Sequence, residues 1–290
     1  MPTKENLIIN TPAKINFSLL IQKRRSDGYH DLQLDFFPIN LFDTIKFKIN
    51  KREETTLSSN FPELNNEHNT ILKAISVLKK NIDKKLNLDI TLLKKIPMGA
   101  GLGGGSSNAA GVLIALNFLY DLELSRTRLE AMAIEIGADV PFFLNPIPSY
   151  ATGIGENLIP IASFDKFFLI IIYPNLHIST KEAYNNCFIS GRKNLIQSYS
   201  LGSLSKLTLT NLNDFWGYLT RNYPVLEACV SALKDIGALT TGLSGSGSTV
   251  FGIFKNRQER DHAILNLNLS ESFQIFGCET MDSFSYLPKS

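Results

Sequence analysis

The chain has 290 residues, 44% of them hydrophobic and 19% charged, with a formal net charge of +2. That length fits two modest domains or one large one, and the near balance of charge, broken only by the short cluster Lys23, Arg24, Arg25, gives no ground for a nucleic-acid partner. Cys187, Cys229 and Cys278 are odd in number and show no metal spacing, and the most apolar run, residues 167–173, is far shorter than the ~20 residues of a membrane span, so the expectation is a cytoplasmic protein of a reducing compartment with no membrane partner.

In chain order, "LIINTPAKINFSLLI" and "HDLQLDFFPINLFDTIKFKIN" read as strands, joined by the turn chemistry of "SDGYH". A helix is expected over residues 69–82, where Ile71, Leu72, Ile75, Val77 and Leu78 fit a 3.6-residue period. "LNLDITLLKKIP" reads as a strand and "SSNAAGVLIALNFLY" as a helix after a glycine stretch. Thr127 and Glu130 suggest a capping box for a helix that Gly137 stops near Ile136. The Pro/Gly-rich region 145–155 is the best internal boundary. "FFLIIIYP" reads as a buried strand, 212–221 and 224–236 as helices, "ALTTGLSGSGSTVFGIF" as strand, glycine loop and strand, and the end of the chain as a last helix and strand.

The stretch "IPMGAGLGGGSSNAAG" holds Gly99, Gly101, Gly103, Gly104, Gly105 and Gly111 between two apolar segments. A flexible turn needs one or two glycines. A strand, a glycine-rich loop and a helix N-terminus together form a phosphate cradle, because glycine lets backbone N–H groups approach an anion and the helix end favours negative charge. "GAGLGG" matches G-x-G-x-x-G formally, yet Asp121, near the distance for a ribose ligand, follows the helix directly with no strand before it. A Walker loop is excluded because no lysine follows the glycines.

With "PAKINFSLLI" near the start and "GLSGSGSTVFGIF" near the end, "PMGAGLGGGSSNAA" resembles the three ordered motifs of the GHMP small-molecule kinases, across nearly the whole chain. The resemblance implies an α+β protein: a two-domain GHMP kinase fold with a ribosomal-protein-S5-domain-2-like N-terminal domain, residues 1–153, and a ferredoxin-like C-terminal domain, residues 154–290. It also implies ATP and Mg2+ as cofactors and transfer of the γ-phosphoryl to a small acceptor. "RSDGYHDL" and "GADVPFF" are similar to the members whose acceptor is a CDP-linked methylerythritol, phosphorylated on its 2-hydroxyl on the non-mevalonate route to isoprenoid precursors. Homoserine and mevalonate kinases fit those two stretches less well, and a non-catalytic nucleotide-binding protein on the same fold is the competitor from another class. Monomer and homodimer both stay open.

By the same resemblance, Asp139 is the catalytic base and Lys14 lies beside it at the acceptor hydroxyl. Without it, Asp139 reads equally as a turn residue before Pro141, and Lys14 as a solvent-facing residue on a half-buried strand. Asn16, two residues on and therefore on the same strand face, is placed on the acceptor. Tyr29 stacks on the cytosine, His30 hydrogen-bonds it, and Tyr184 supplies the opposite stacking face; His177 lies close to that wall. Pro97, Met98, Gly99, Ala100, Gly101, Leu102, Gly103, Gly104, Gly105, Ser106 and Ser107 are placed on ATP, and Asn69 near the adenine, where it is also a good helix cap. No acidic Mg2+ ligand stands out, so the metal is expected on phosphates and water with Ser107 near it. Ser244, Gly245, Ser246, Gly247 and Ser248 are expected to support the acceptor's diphosphate side, whereas His68 and His262 read as surface or packing residues.

Overall fold

The computed structural model describes residues 5–192, 196 and 198–287. The first half of the chain builds a mixed sheet from β1 (Asn6–Ile15), β2 (Leu19–Arg24), β3 (His30–Ile49), β4 (Thr56–Ser59), β5 (Leu88–Leu93), β6 (Ser149–Gly153) and β7 (Asn157–Pro160). β3 is its axis. The early part of β3 pairs with β2 and β6, the later part with β1 and β5, all antiparallel. The expected domain division at 153/154 falls in the turn of the β6–β7 hairpin.

β3 serves two cores. Its pairing with β1 shifts register between Pro12 and Ala13. Before the shift Leu32, Leu34 and Phe36 face one apolar cluster while Phe37 and Ile39 face a second; beyond it Ile45 and Phe47 return to the first. Two residues of β3, Asn40 and Leu41, stand without a β1 partner at the shift, which interrupts the ladder locally. The odd-numbered face of β3 meets the second cluster at Phe37 and Ile39 and the first, with the helices, at Ile45 and Phe47.

The helices α1 (Thr70–Asn81), α2 (Gly104–Leu119), α3 (Arg126–Ile136) and the short α4 (Val140–Phe143) follow. α1 begins where Asn69 Oδ1 accepts the Ile71 N–H at 2.9 Å, and Asn69 Nδ2 donates to Leu64 O at 2.9 Å. α2 is buried on nearly all sides and lies so close to β1 that a Cβ on Gly111 would sit 2.7 Å from Thr11 Cγ2. The cap of α3 is Ser125, two residues ahead of the expected Thr127, with its side chain accepting from the Arg128 N–H; Gly137 ends the helix as expected.

The second half builds an antiparallel sheet from β8 (Phe168–Tyr173), β9 (Thr240–Leu243), β10 (Val250–Phe254) and β11 (Gln274–Glu279), in the order β11-β8-β10-β9. This is the split βαβ order of ferredoxin-like domains. α5 (Thr180–Asn186), α6 (Leu201–Leu204), α7 (Trp216–Asn222), α8 (Val225–Asp235) and α9 (Arg257–Leu265) complete it. The helix expected from residue 212 starts at Trp216, because Asn213 and Asp214 are used elsewhere: Asn213 Nδ2 donates to Leu243 O and Gly245 O at 2.9 and 2.8 Å, and Asp214 Oδ2 accepts the Ile21 N–H at 2.7 Å. Cys187, Cys229 and Cys278 are free thiols. Among the described residues, no helix is long and apolar enough to cross a membrane.

Candidate active site

A cleft of about 970 Å³ opens where β1, the turn before β3, the glycine loop and α5 meet. Of the expected site residues, Ser107, fully buried in α2, and Ser244, Gly247 and Ser248 of the third motif lie outside its lining. Ser106 lines the cleft in place of Ser107. Among the described residues no group of three or more His, Cys, Asp or Glu side chains could cage a metal.

The glycine loop runs from β5 to α2, and Gly99, Gly101 and Gly103 take φ values of +61°, +76° and +69°. At Gly101 the reason is contact as well as conformation, since a Cβ there would collide with the carbonyl oxygen of Ser244. The third motif thus docks on the second: Ser244 Oγ donates to Gly101 O at 3.0 Å and Thr249 N–H donates to Ala100 O at 3.3 Å. The first motif is tied in by Lys14 N–H, which donates to Leu102 O at 3.0 Å. Gly245 and Ser246 line the cleft, and the Thr180 and Ser246 hydroxyls are 3.0 Å apart. At the start of α2 a Cβ on Gly104 would lie 2.7 Å from Lys94 Nζ.

Lys94 is a cleft residue that the sequence reading missed. It is buried, and its Nζ donates to Asp43 Oδ2 at 2.6 Å. Asp43, fully buried on β3, also accepts the N–H groups of Lys95 and Ile96 at 2.7 and 2.8 Å and Asn108 Nδ2 at 3.0 Å. One carboxylate therefore fixes both the strand that enters the glycine loop and the helix that leaves it. Burial lowers the Lys94 pKa, and the neighbouring Asp43 carboxylate opposes that. The available signal was Asp43 itself, an acid on the apolar phase shared with Ile45 and Phe47.

Asp139 stands at the start of α4 and makes no side-chain capping bond. Its Oδ2 is 3.8 Å from Lys14 Nζ. The Lys14 side chain is 4% exposed, against 32% for Asp139. Lys14 Nζ donates to Asn16 Oδ1 at 2.6 Å, as two residues on one strand face allow. Burial lowers the Lys14 pKa, opposed by the charges of Asp139 and then Asp35.

Tyr29 is 58% exposed on the cleft rim. The His30 and Tyr184 rings stack directly, centroids 4.9 Å apart and planes at 19°, and Tyr184 packs edge-on against Phe215. His30 rather than Tyr29 is thus the ring facing Tyr184. Burial and then the Arg24 charge lower the His30 pKa. Exposed His177 lies beside Gly99 on the phosphate loop, His68 lines the cleft, and His262 sits in the last turn of α9.

Family models match this chain twice: GHMP kinases N terminal domain over residues 69–145 and GHMP kinases C terminal over residues 200–270. A 4-diphosphocytidyl-2-C-methyl-D-erythritol kinase of Chlorobium chlorochromatii is 38% identical over 268 residues, covering 88% of this chain and 91% of its own. One from Shewanella loihica is 35% identical, covering 88% of each. A crystal structure of 4-(cytidine 5'-diphospho)-2C-methyl-D-erythritol kinase superposes with a TM-score of 0.79 at 28% identity, over 95% of this chain and all of the other. A mevalonate kinase structure, at 18% identity and a TM-score of 0.70 over 95% and 99%, shares the fold. The chain belongs to the 4-diphosphocytidyl-2-C-methyl-D-erythritol kinase family of the GHMP kinases.

Proposed function

We propose that the protein transfers the γ-phosphoryl of ATP to the 2-hydroxyl of 4-diphosphocytidyl-2-C-methyl-D-erythritol, releasing ADP. The observation that carries this reading is one cleft that sets the Lys14–Asp139 pair beside a glycine-lined anion cradle, with the Lys14 N–H donating to Leu102 O. Phosphoryl transfer asks little covalent chemistry of a protein; it asks for positioning and for charge stabilisation. Backbone N–H groups of the loop and the start of α2 hold the phosphates. Asp139 orients the acceptor hydroxyl and takes its proton. The Lys14 ammonium stands beside Asp139 and faces the charge that develops on the transferring group.

Asn16 and the Tyr29, His30 and Tyr184 rings take the acceptor, with the rings on its cytosine. Mg2+ suits a site of this kind, since it accepts phosphate oxygens and water with few protein ligands. Asp139 and the Ser106 hydroxyl are among the oxygens the cleft offers it, and when bound it would neutralise phosphate charge. We place the protein in the cytoplasm, where ATP and free thiols are stable.

The test is a coupled ADP-release assay with Mg-ATP, offering the cytidyl substrate, homoserine and mevalonate in parallel. Turnover with the cytidyl substrate alone is the expected result. Turnover with homoserine or mevalonate would overturn the cytosine assignment of Tyr29 and His30. ATP binding without ADP release from any acceptor would make the protein a non-catalytic nucleotide binder.

A further inference from the structure

β3 carries a second carboxylate that the reaction described above does not use. Asp35 is fully buried. Its Oδ1 accepts the Phe17 N–H at 2.6 Å, and its Oδ2 accepts the Ser18 N–H at 2.9 Å, Ser18 Oγ at 2.5 Å and Tyr199 Oη at 3.2 Å. The backbone of Asp35 works in the same direction. Its carbonyl accepts Asn16 Nδ2 at 2.5 Å, and its N–H donates to Ser18 O at 3.3 Å. The turn between β1 and β2 is therefore held to this one residue by both side chain and main chain.

Among the described residues, no cation lies at ion-pair distance from Asp35. Phe17, whose N–H it accepts, and Phe37, two residues on along the same strand face, belong to the second apolar cluster. Removing a carboxylate from water into such surroundings is costly without a counter-charge, and an apolar residue would fill the same space at no such cost. The turn it holds carries Asn16, whose Oδ1 accepts Lys14 Nζ, and Lys14 in turn faces Asp139.

We propose that Asp35 is a positioning residue for phosphoryl transfer, locking the 16–18 turn so that Asn16 holds the Lys14 ammonium against Asp139. The inference rests on the kinase reading of the Lys14–Asp139 pair. Lys14 faces Asp35 from β1, Tyr150 from β6, and Tyr199 from the segment before α6, with Asp139 beyond Lys14. Burial pushes the Asp35 carboxyl up to about 6, against the pull of its donors. The four donors make the carboxylate the form that holds the turn, so turnover should have an acid limb near pH 6 that follows Asp35.

Three variants and one spectrum test it. Asp35→Asn should lower kcat about 10- to 100-fold while KM for Mg-ATP, whose loop is fixed by Asp43 rather than Asp35, changes by less than about twofold. The acid limb near pH 6 should vanish from its kcat profile. Tyr199→Phe and Ser18→Ala each remove a donor to the ionised form, so their acid limb should move to higher pH; these two carry the test if Asp35→Asn does not fold. In ligand-free protein with 13C-labelled lysine, the Lys14 Cε signal should show an inflection near pH 6 in the native chain that is missing in Asp35→Asn.

Native kcat and native acid limbs in all the variants that fold would overturn the proposal. So would a Lys14 signal that does not sense Asp35. The spectrum needs no turnover, so native protein that fails to phosphorylate the cytidyl substrate would sink the substrate reading while this signal still decides the role of Asp35.

Discussion

Asp35 and Asp43 are both fully buried on β3, and each gathers donors from a loop that borders the cleft. Asp43 gathers them with the Lys94 ammonium at 2.6 Å and fixes the glycine loop. Asp35 gathers hydroxyl and N–H donors alone and fixes the turn behind Lys14. Hydrogen bonds satisfy a buried carboxylate's lone pairs, yet without a cation they do not fully offset its lost hydration. The glycine loop is therefore held by a charge-balanced network around Asp43. The acceptor end is held by a group whose own charge state changes near pH 6.

Removing the cation should erase the difference, with the largest effect. Lys94→Met leaves Asp43 buried and unpaired, and should lower stability by about 3–5 kcal/mol in denaturant unfolding. A loss under about 1 kcal/mol would show that hydrogen bonds suffice at Asp43 and that the contrast between the two sites is empty.

The sign of the pH effect is the next check. The folded-state value of Asp35 is raised above 3.8 to about 6, so its stabilising contribution is fully present below pH 4 and is lost as pH rises through 6. The stability of Asp35→Asn relative to the native chain should therefore improve from pH 4 to pH 7, by up to roughly 3 kcal/mol. A difference that stays flat over that range would remove the titration from the account.

Two glycines sharpen the picture of the phosphate end, with a smaller effect. Gly99 and Gly101 both hold positive φ, but a Cβ on Gly99 would meet the exposed His177 side chain, and one on Gly101 the Ser244 carbonyl. A side chain swings away; a main-chain oxygen does not. Gly99→Ala should cost about 1 kcal/mol of backbone strain, and Gly101→Ala that amount plus a weakening of ATP binding of at least tenfold by calorimetry, about 1.4 kcal/mol. Equal ATP affinities in the two variants would mean that the docking of the third motif on the second does not shape the cradle.

Much of the site was legible in the chain because its signals are local. The strand, glycine loop and helix, the Asn69 cap and the shared face of Lys14 and Asn16 each depend on residues a few positions apart. Short elements were not legible: α4, α5, β4 and the β6–β7 hairpin are held by their surroundings rather than by periodicity. Asp35 and Asp43 escaped for a different reason. Every odd-numbered residue of β3 from Asp35 to Phe47 is buried, so both acids lie on one apolar phase, but the donors that make them tolerable there come from segments distant in the chain, which spacing does not reveal. The direct stacking of His30 on Tyr184 depends on a contact between residues far apart in the chain, which spacing does not reveal.

Single-turnover kinetics of Asp139→Asn, with ATP and acceptor affinities measured on the same protein, test the central claim most directly. The chemical step should slow by about 10²- to 10⁴-fold while both affinities stay within about threefold of native, since the amide keeps the shape of the group and loses its charge. A native rate of phosphoryl transfer in Asp139→Asn would contradict the account, because the Lys14–Asp139 pair would then not be where the chemistry takes place.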